Sequence, residues 1–401
     1  MGPFMELGII TGKPAFSKPL YVGMPNLEEE VRESYFKLIT DVFDRRILTN
    51  NGPLVQRLEA EVAKMHGVEH CIAVCNGTIA EMLVLSALDL EGEIILPSFT
   101  FIATAHACLW QGARTVFCDI SPDTLMIDVT QAEKLITDET RAIIGVHLFG
   151  SVCDIPGLTR LCEKYNLRLI FDAAHAFNCT WGERPIGIFG DAVVLSFHTT
   201  KFFGTFEGGA VLTNNNQLAS RLRYLVNFGF KGYDDVAFLG INGKMSEASA
   251  AMGLASLPAV ETRADKLHKT YDIYREHLRT IPGISVMPVG LTGRSNYQYA
   301  IIFIDEERFG VSRDMLYTIL WKDNVIARRY FYPGCHRMEP YKTINPSACG
   351  RLPVTEDVSK RILCLPTNLE HPDEDISNIA RIIKLVHAHA QEVSKWLSDH
   401  H

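Results

Sequence analysis

The sequence predicts an α/β protein: a large domain with a mostly parallel seven-stranded sheet sandwiched by helices, then a smaller α+β C-terminal domain. Three observations carry this reading. Short runs rich in Ile, Val, Leu and Phe alternate with helix-length segments from about residue 70 to 265. Those runs are apolar throughout rather than on alternate positions, as expected of strands covered on both faces. The last third changes character, with longer amphipathic stretches.

The strand candidates are CIAVC, GEIILP, RTVFCDI, AIIGVHLF, LRLIFDAA, DAVVLSF and GGAVLTN, each bounded by Gly, Pro, Asn or Asp. Between most of them lie TIAEMLVLSALDL, FIATAHACLWQG, QAEKLI and IPGLTRLCEKYN, which are long enough for helices. In the final third, KLHKTYDIYREHLRTIPG reads as an amphipathic helix ending at Gly283, followed by strand-like YQYAIIFID. HPDEDISNIARIIKLVHAHAQEVSKWL opens on Pro372 and three acids, which suits a helix N-terminus. Its Ile376, Ile379, Ile383 and Val386 share one face. A chain of 401 residues exceeds one ordinary core. The expected division is an N-terminal arm at 1–20, a large domain at 21–265 and a small domain at 266–401, with part of the arm completing the small domain.

Composition narrows the class. The apolar share of 47% and charged share of 21% are ordinary for a soluble globular protein. A formal charge of -8 argues against a nucleic-acid binder. The ten cysteines are scattered without a C-x-x-C pair and read as buried reduced thiols; no metal site is expected. No run approaches the ~20 apolar residues of a membrane span. The opening MGPFMELGIITGKPAF lacks a basic segment ahead of an apolar core, so no secretory signal is expected and the cytoplasm is the default location.

Three stretches hold residues suited to chemistry. In SFHTTKFFGTFEGGAVLTN (196–214), Lys201 follows the strand DAVVLSF and is flanked by Phe202, Phe203 and Glu207-Gly208-Gly209. Desolvation there lowers an amine's pKa and exposes the neutral form that condenses with a carbonyl, although the local spacing taken alone favours a surface loop lysine. In LRLIFDAAHAF, Asp172 sits where a parallel strand ends, at the edge where open α/β sheets place ligands. A carboxylate there suits the ring nitrogen of pyridoxal phosphate, or simply caps the next helix. His175 follows about one helical turn later, within reach of a phenolic oxygen. In CNGTIAEMLVL, Asn76-Gly77-Thr78 lies between strand and helix, a turn that binds phosphate or merely starts a helix. Ser196 offers a further hydroxyl, and Phe101 an aromatic face for stacking. Each element is ambiguous alone; together they make one site.

On these residues the sequence resembles the DegT/DnrJ family of sugar aminotransferases, which belong to the fold type I group of pyridoxal-phosphate enzymes. ILTNNGPLVQRLE, CNGTIAEMLVLSAL, ILPSFTFIATAHA, VFCDISPDTLMID, FDAAHAF and SFHTTKFFGTFEGG occur in the family's order between about residues 18 and 390. The resemblance implies that Lys201 carries the cofactor and moves protons, that Asp172 holds the ring nitrogen and that His175 stands where many members have Gln. It places Gly77, Thr78 and Ser196 in the phosphate cup, Phe101 on the ring face and Asn227 of VNFGF at the partner subunit's phosphate in a homodimer. Tyr330, Tyr332 and His336 of RRYFYPGCH are then candidates for sugar or diphosphate contacts, or members of an aromatic patch in the small domain. Dehydratase members carry His at the position of Lys201, so amine transfer is implied rather than deoxygenation. The implied cycle takes the amino group from L-glutamate through the pyridoxamine form. It passes to a nucleotide-linked keto sugar, with dTDP-4-keto-6-deoxyglucose first in resemblance. UDP- or GDP-linked 4-keto sugars, a 3-keto isomer and a cofactor-sensing regulator are the alternatives. A nicotinamide dehydrogenase is set aside, because no G-x-G-x-x-G follows a strand.

Overall fold

The computed structural model describes residues 3–25 and 27–400. All seven expected strands form: β1 (His70–Val74), β2 (Glu93–Pro97), β3 (Arg114–Cys118), β4 (Thr140–Val146), β5 (Arg168–Asp172), β6 (Ala192–Ser196) and β7 (Gly209–Thr213). They make one sheet in the order β1-β7-β6-β5-β4-β2-β3. β2 is parallel to β3 and β4, β4 to β5, and β5 to β6. β7 is antiparallel to both of its neighbours, β1 and β6. The connection from β6 to β7 contains no helix, and without a crossover the chain can only fold back.

Residue parity divides the sheet into two buried faces. Ile94, Leu96, Ile144, Ile170, Val194 and Val211 face α3 (Gly77–Ala87) and α4 (Ile102–Trp110) through Ala80, Val84, Ala105 and Ala107. Ile95, Ile143, Leu169, Phe171, Val193 and Leu195 face α2 (Pro53–His66) and α5 (Ile155–Tyr165) through Leu58, Val62, Leu158 and Leu161. This two-sided burial is why the strands read as continuous apolar runs. An additional helix, α1 (Glu29–Arg45), precedes these in the chain.

A second, smaller core lies in the last third of the chain. Strands β8 (Ile284–Val286), β9 (Ala300–Ile304) and β10 (Ile362–Leu365) form an antiparallel sheet. Tyr274, Ile302, Ile304, Ile376, Ile379, Ile383 and Val386 pack together on it, joined by Leu7, Ile9, Phe16 and Leu20 from the start of the chain. Asp323 holds that early segment by accepting the Gly8 and Ala15 N–H groups at 2.9 and 3.0 Å. The helix expected to end at Gly283 runs over Val260–Leu278 and begins earlier than its amphipathic stretch suggests. Its Val260, Ala264 and Leu267 belong to the large core, whereas Tyr274 and Leu278 belong to the small one. The final helical stretch is two helices, Asp373–Ala388 and Ala390–His400; the break at His389 turns Val393 and Leu397 back into the small core. All ten cysteines are free and eight are buried. Among the described residues no helix is long and apolar enough to cross a membrane.

The two parts share an apolar seam, in which Ile301, Ile362 and Cys364 pack into the large core, and one carboxylate adds a polar tie across it. Asp119, just past β3, accepts the Thr355 N–H and hydroxyl at 2.8 and 2.7 Å and the Val354 N–H at 3.0 Å. Those donors open the helix Pro353–Arg361, where backbone N–H groups have no helical acceptor. Asp119→Ala should leave them unpaired and lower stability by about 2 kcal/mol or more, read from the urea midpoint at unchanged slope.

Candidate active site

The carboxyl ends of the parallel strands converge at the centre of the sheet. Val146 is in register with Asp172, Asp172 with Val194, and Ser196 with Gly209, which in turn faces Val74. The side chains and turns following these ends therefore share one edge, and a cavity of about 600 Å³ opens there. Gly77, Thr78, Phe101, Asp172, His175, Ser196, Lys201 and Tyr330 line it.

Lys201 is positioned by its neighbours. Phe202 and Phe203 are buried on the far side of the loop; Phe203 stacks on Phe177 at 4.4 Å and meets Phe197 edge-on at 5.0 Å. The Thr199 and Thr205 N–H groups close the loop onto Phe206 and Phe197 carbonyls at 2.9 and 2.8 Å. Anchored this way, the lysine faces the cavity instead of solvent. Burial pushes its amine down to about 8, against the opposing pull of Asp172 and Glu81.

Asp172 ends β5, where its carboxylate accepts the Thr104 hydroxyl at 2.8 Å and the Ala174 N–H at 3.0 Å. The buried His175 ring packs on Tyr299 at 4.6 Å and Phe331 at 5.9 Å, and its Nδ1 has no partner. Burial first, then the nearby Lys201 charge, holds this imidazole well below its usual pKa, so it is neutral. A neutral ring donates from one nitrogen and accepts at the other.

At the start of α3, the Asn76 side chain accepts the Ile79 N–H at 2.9 Å and caps the helix. The first N–H groups, at Gly77 and Thr78, have no acceptor within the helix, and its dipole points at the cavity. Glycine at 77 is a packing requirement: a Cβ there would stand 3.0 Å from the Ser196 Cβ and 3.3 Å from its Oγ. Phe101 closes the mouth, 54% exposed, with its ring 6.5 Å from that of Phe331.

The DegT/DnrJ/EryC1/StrS aminotransferase family matches residues 29–384. The chain belongs to this family. It is an aminotransferase, with amino-group transfer as its reaction class. Its similarity to a dTDP-4-amino-4,6-dideoxy-D-glucose transaminase of Shigella dysenteriae is 36% identity, covering 92% of this chain and 99% of that one. An Escherichia coli protein of the same name is 34% identical over 91% of this chain and 98% of its own. In three dimensions the chain resembles DesI, solved in the presence of its TDP-sugar product, with TM-score 0.93 and 41% identity over 98% of this chain and 100% of that one.

Within this aminotransferase three expected residues lie away from the cavity lining. His336 is fully buried; its Nδ1 pairs with the Ser98 hydroxyl at 2.6 Å and its Nε2 with Glu356 at 3.2 Å. With both nitrogens engaged in the protein interior, it braces the 328–336 segment and is not available to a sugar or diphosphate. Tyr332 is 42% exposed and sandwiched by the Arg313 and Arg329 guanidinium groups at 5.0 and 5.1 Å, outside the lining. The Asn227 side-chain oxygen accepts from the Lys244 ammonium at 2.9 Å, also outside it.

Sequence reasoning missed Glu81, Thr104, His147, Tyr299, Arg328 and Phe331, all of which line the cavity. Glu81 and Thr104 lie inside segments that read as plain helix. Phe331 comes from beyond β9, and its ring joins Phe149, His175 and Phe99 at 5.8, 5.9 and 5.7 Å. No local spacing announces a contact between residues so far apart. His147 stacks on Phe171 at 4.9 Å, and burial holds its pKa down at about 3.

An amine with its pKa near 8 is half neutral there, and its neutral fraction rises with pH. Reductive alkylation of the cofactor-free protein by a small aldehyde should therefore modify Lys201 half-maximally near pH 8. Asp172→Asn removes an anion that favours the ammonium, so the midpoint should move lower; peptide mass mapping across a pH series gives both values.

Proposed function

We propose that this aminotransferase uses pyridoxal 5'-phosphate, bound through Lys201, to move the amino group of L-glutamate onto a nucleotide-linked 4-keto sugar. The first choice is dTDP-4-keto-6-deoxy-D-glucose, giving the 4-amino-4,6-dideoxy sugar. The single observation that carries the reading is the convergence of Lys201, Asp172 and His175 on one cavity edge beside the helix start at Gly77. The names of the similar transaminases and the TDP-sugar product with DesI support the substrate class.

The residues fit the cofactor on their own chemistry. The helix start at Gly77–Thr78, with Ser196 packed beneath it, offers N–H and hydroxyl donors to a phosphate dianion. Asp172, already accepting two hydrogen bonds, is poised to face a protonated ring nitrogen. The unpartnered Nδ1 of His175 marks a ring with hydrogen-bonding capacity left for a phenolic oxygen. Phe101 supplies an aromatic face at the mouth. When bound, pyridoxal phosphate supplies an electron sink for the carbon that carries the amine. Lys201, its amine held down to about 8 by burial, would move the proton at that carbon, work worth ~10²–10⁴-fold. The rings of Tyr299 and Phe331, which line the cavity, would limit the entry of water around the bound cofactor.

Beyond the cofactor, Tyr330 and Arg328 line the mouth and are the residues we assign to the nucleotide sugar. Asn227 lies outside this chain's own cavity, as a residue serving a second copy would, so the proposal includes a homodimer with shared sites.

The purified protein should be yellow, and borohydride should bleach that colour while fixing the cofactor on the peptide containing Lys201. A protein that stays colourless with added pyridoxal phosphate would rule the reading out. With glutamate as donor, a panel of dTDP-, UDP- and GDP-linked keto sugars should give the highest kcat/KM for the dTDP-4-keto sugar. The same keto sugar without its nucleotide should react at least ten-fold more slowly, because binding energy from the remote tail is then lost.

A further inference from the structure

Glu81 is a buried carboxyl group that the family reading leaves without a task. It sits on α3 about one turn beyond Gly77, is 5% exposed and lines the cavity floor. Its Oε2 is enclosed and has no hydrogen-bond donor. Its carboxyl group lies within hydrogen-bonding reach of Asp172. The groups that face it are Asp172 from β5, Lys201 from the loop after β6 and the thiol of Cys108 from α4.

Two carboxylates in contact in an apolar enclosure cannot both be ionised cheaply, so the pair holds one proton. The hydrogen bonds decide where it resides. Asp172 accepts the Thr104 hydroxyl on one carboxylate oxygen and the Ala174 N–H on the other, so both of its oxygens already act as acceptors. Glu81 Oε2 receives no such bond. Burial and the neighbouring Asp172 charge both drive the Glu81 pKa up, in agreement with that placement, and burial keeps Cys108 a neutral thiol.

We infer that Glu81 is a positioning residue held as the neutral acid, donating its proton as a hydrogen bond to the Asp172 carboxylate and so setting how strongly Asp172 attracts a cation beside it. In the bound enzyme that cation is the cofactor's ring nitrogen, so this part rests on the proposed use of pyridoxal phosphate. Donation from Glu81 spreads the Asp172 charge. Loss of the donor concentrates it again.

Two substitutions separate a neutral from an ionised Glu81. Glu81→Gln keeps a donor and is isosteric with the neutral acid. In the holoenzyme it should leave the pH midpoint of the cofactor's visible absorbance within a few tenths of a unit. Glu81→Leu removes the donor and should raise that midpoint by about one unit, the size of one hydrogen bond to a charged group. An ionised Glu81 would instead make Glu81→Gln lower the midpoint, because an anion beside the site would be lost. Infrared difference spectra of the cofactor-free protein, wild type minus Glu81→Gln, should show the carbonyl band of a protonated carboxylic acid. Absence of that band, or a lowered midpoint in Glu81→Gln, overturns the inference. An unshifted midpoint in Glu81→Leu overturns it equally. If the wild-type protein takes up no cofactor, the proposed function fails separately, and the infrared band still decides the state of Glu81.

Discussion

Lys201 reaches the cavity because Phe202 and Phe203, the two residues after it, are buried on the other side of the same loop. The stack of Phe203 on Phe177 at 4.4 Å anchors the backbone, and the lysine is left facing the carboxylates. An amine in such an enclosure loses water, which favours its neutral form, while Asp172 and Glu81 favour the charged one. Their balance near 8 leaves a group able both to accept and to release a proton at ordinary pH. The acid–base capacity of the site thus comes from where the two phenylalanines pack as much as from the lysine.

The rest of the site depends on sheet topology. Parallel strands deliver their carboxyl ends to one edge, and the helices that follow present free N–H groups there. Strand β7 completes this arrangement by folding back between β1 and β6, which brings Gly209 against the turn at Asn76-Gly77. A Cβ on Gly209 would lie 2.8 Å from the Gly77 nitrogen, so the close approach of strand and turn requires glycine there. The smaller domain adds the remaining wall. Asp119 fastens its Pro353–Arg361 helix, His336 braces the 328–336 segment through Ser98, and Phe331 then inserts between Phe99, Phe149 and His175.

Much of this was legible in the amino-acid order. The seven strands appear as seven apolar runs because both sheet faces are buried, and Ile376, Ile379, Ile383 and Val386 announce a helix face by their spacing. Lys201, Asp172 and the turn at Asn76-Gly77-Thr78 stand at strand ends, where the periodicity itself marks them as candidates. These features are properties of a few consecutive residues, and a linear reading captures them.

What remained belongs to contacts between residues far apart in the chain. His336 reads either as a ligand-facing side chain or as part of a packed patch beside two tyrosines, and tertiary packing engages both of its nitrogens with Ser98 and Glu356. Glu81 reads as one more polar residue in a helix, and only the approach of α3 to the end of β5 puts its carboxyl group against Asp172. The order of residues by itself determined which segments are strands and helices, and which side chains end them, because those follow from local pattern and burial. The tertiary structure alone decided which polar groups share a low-dielectric enclosure, and so which of them hold a proton, because desolvation and charge coupling act through space and not along the chain.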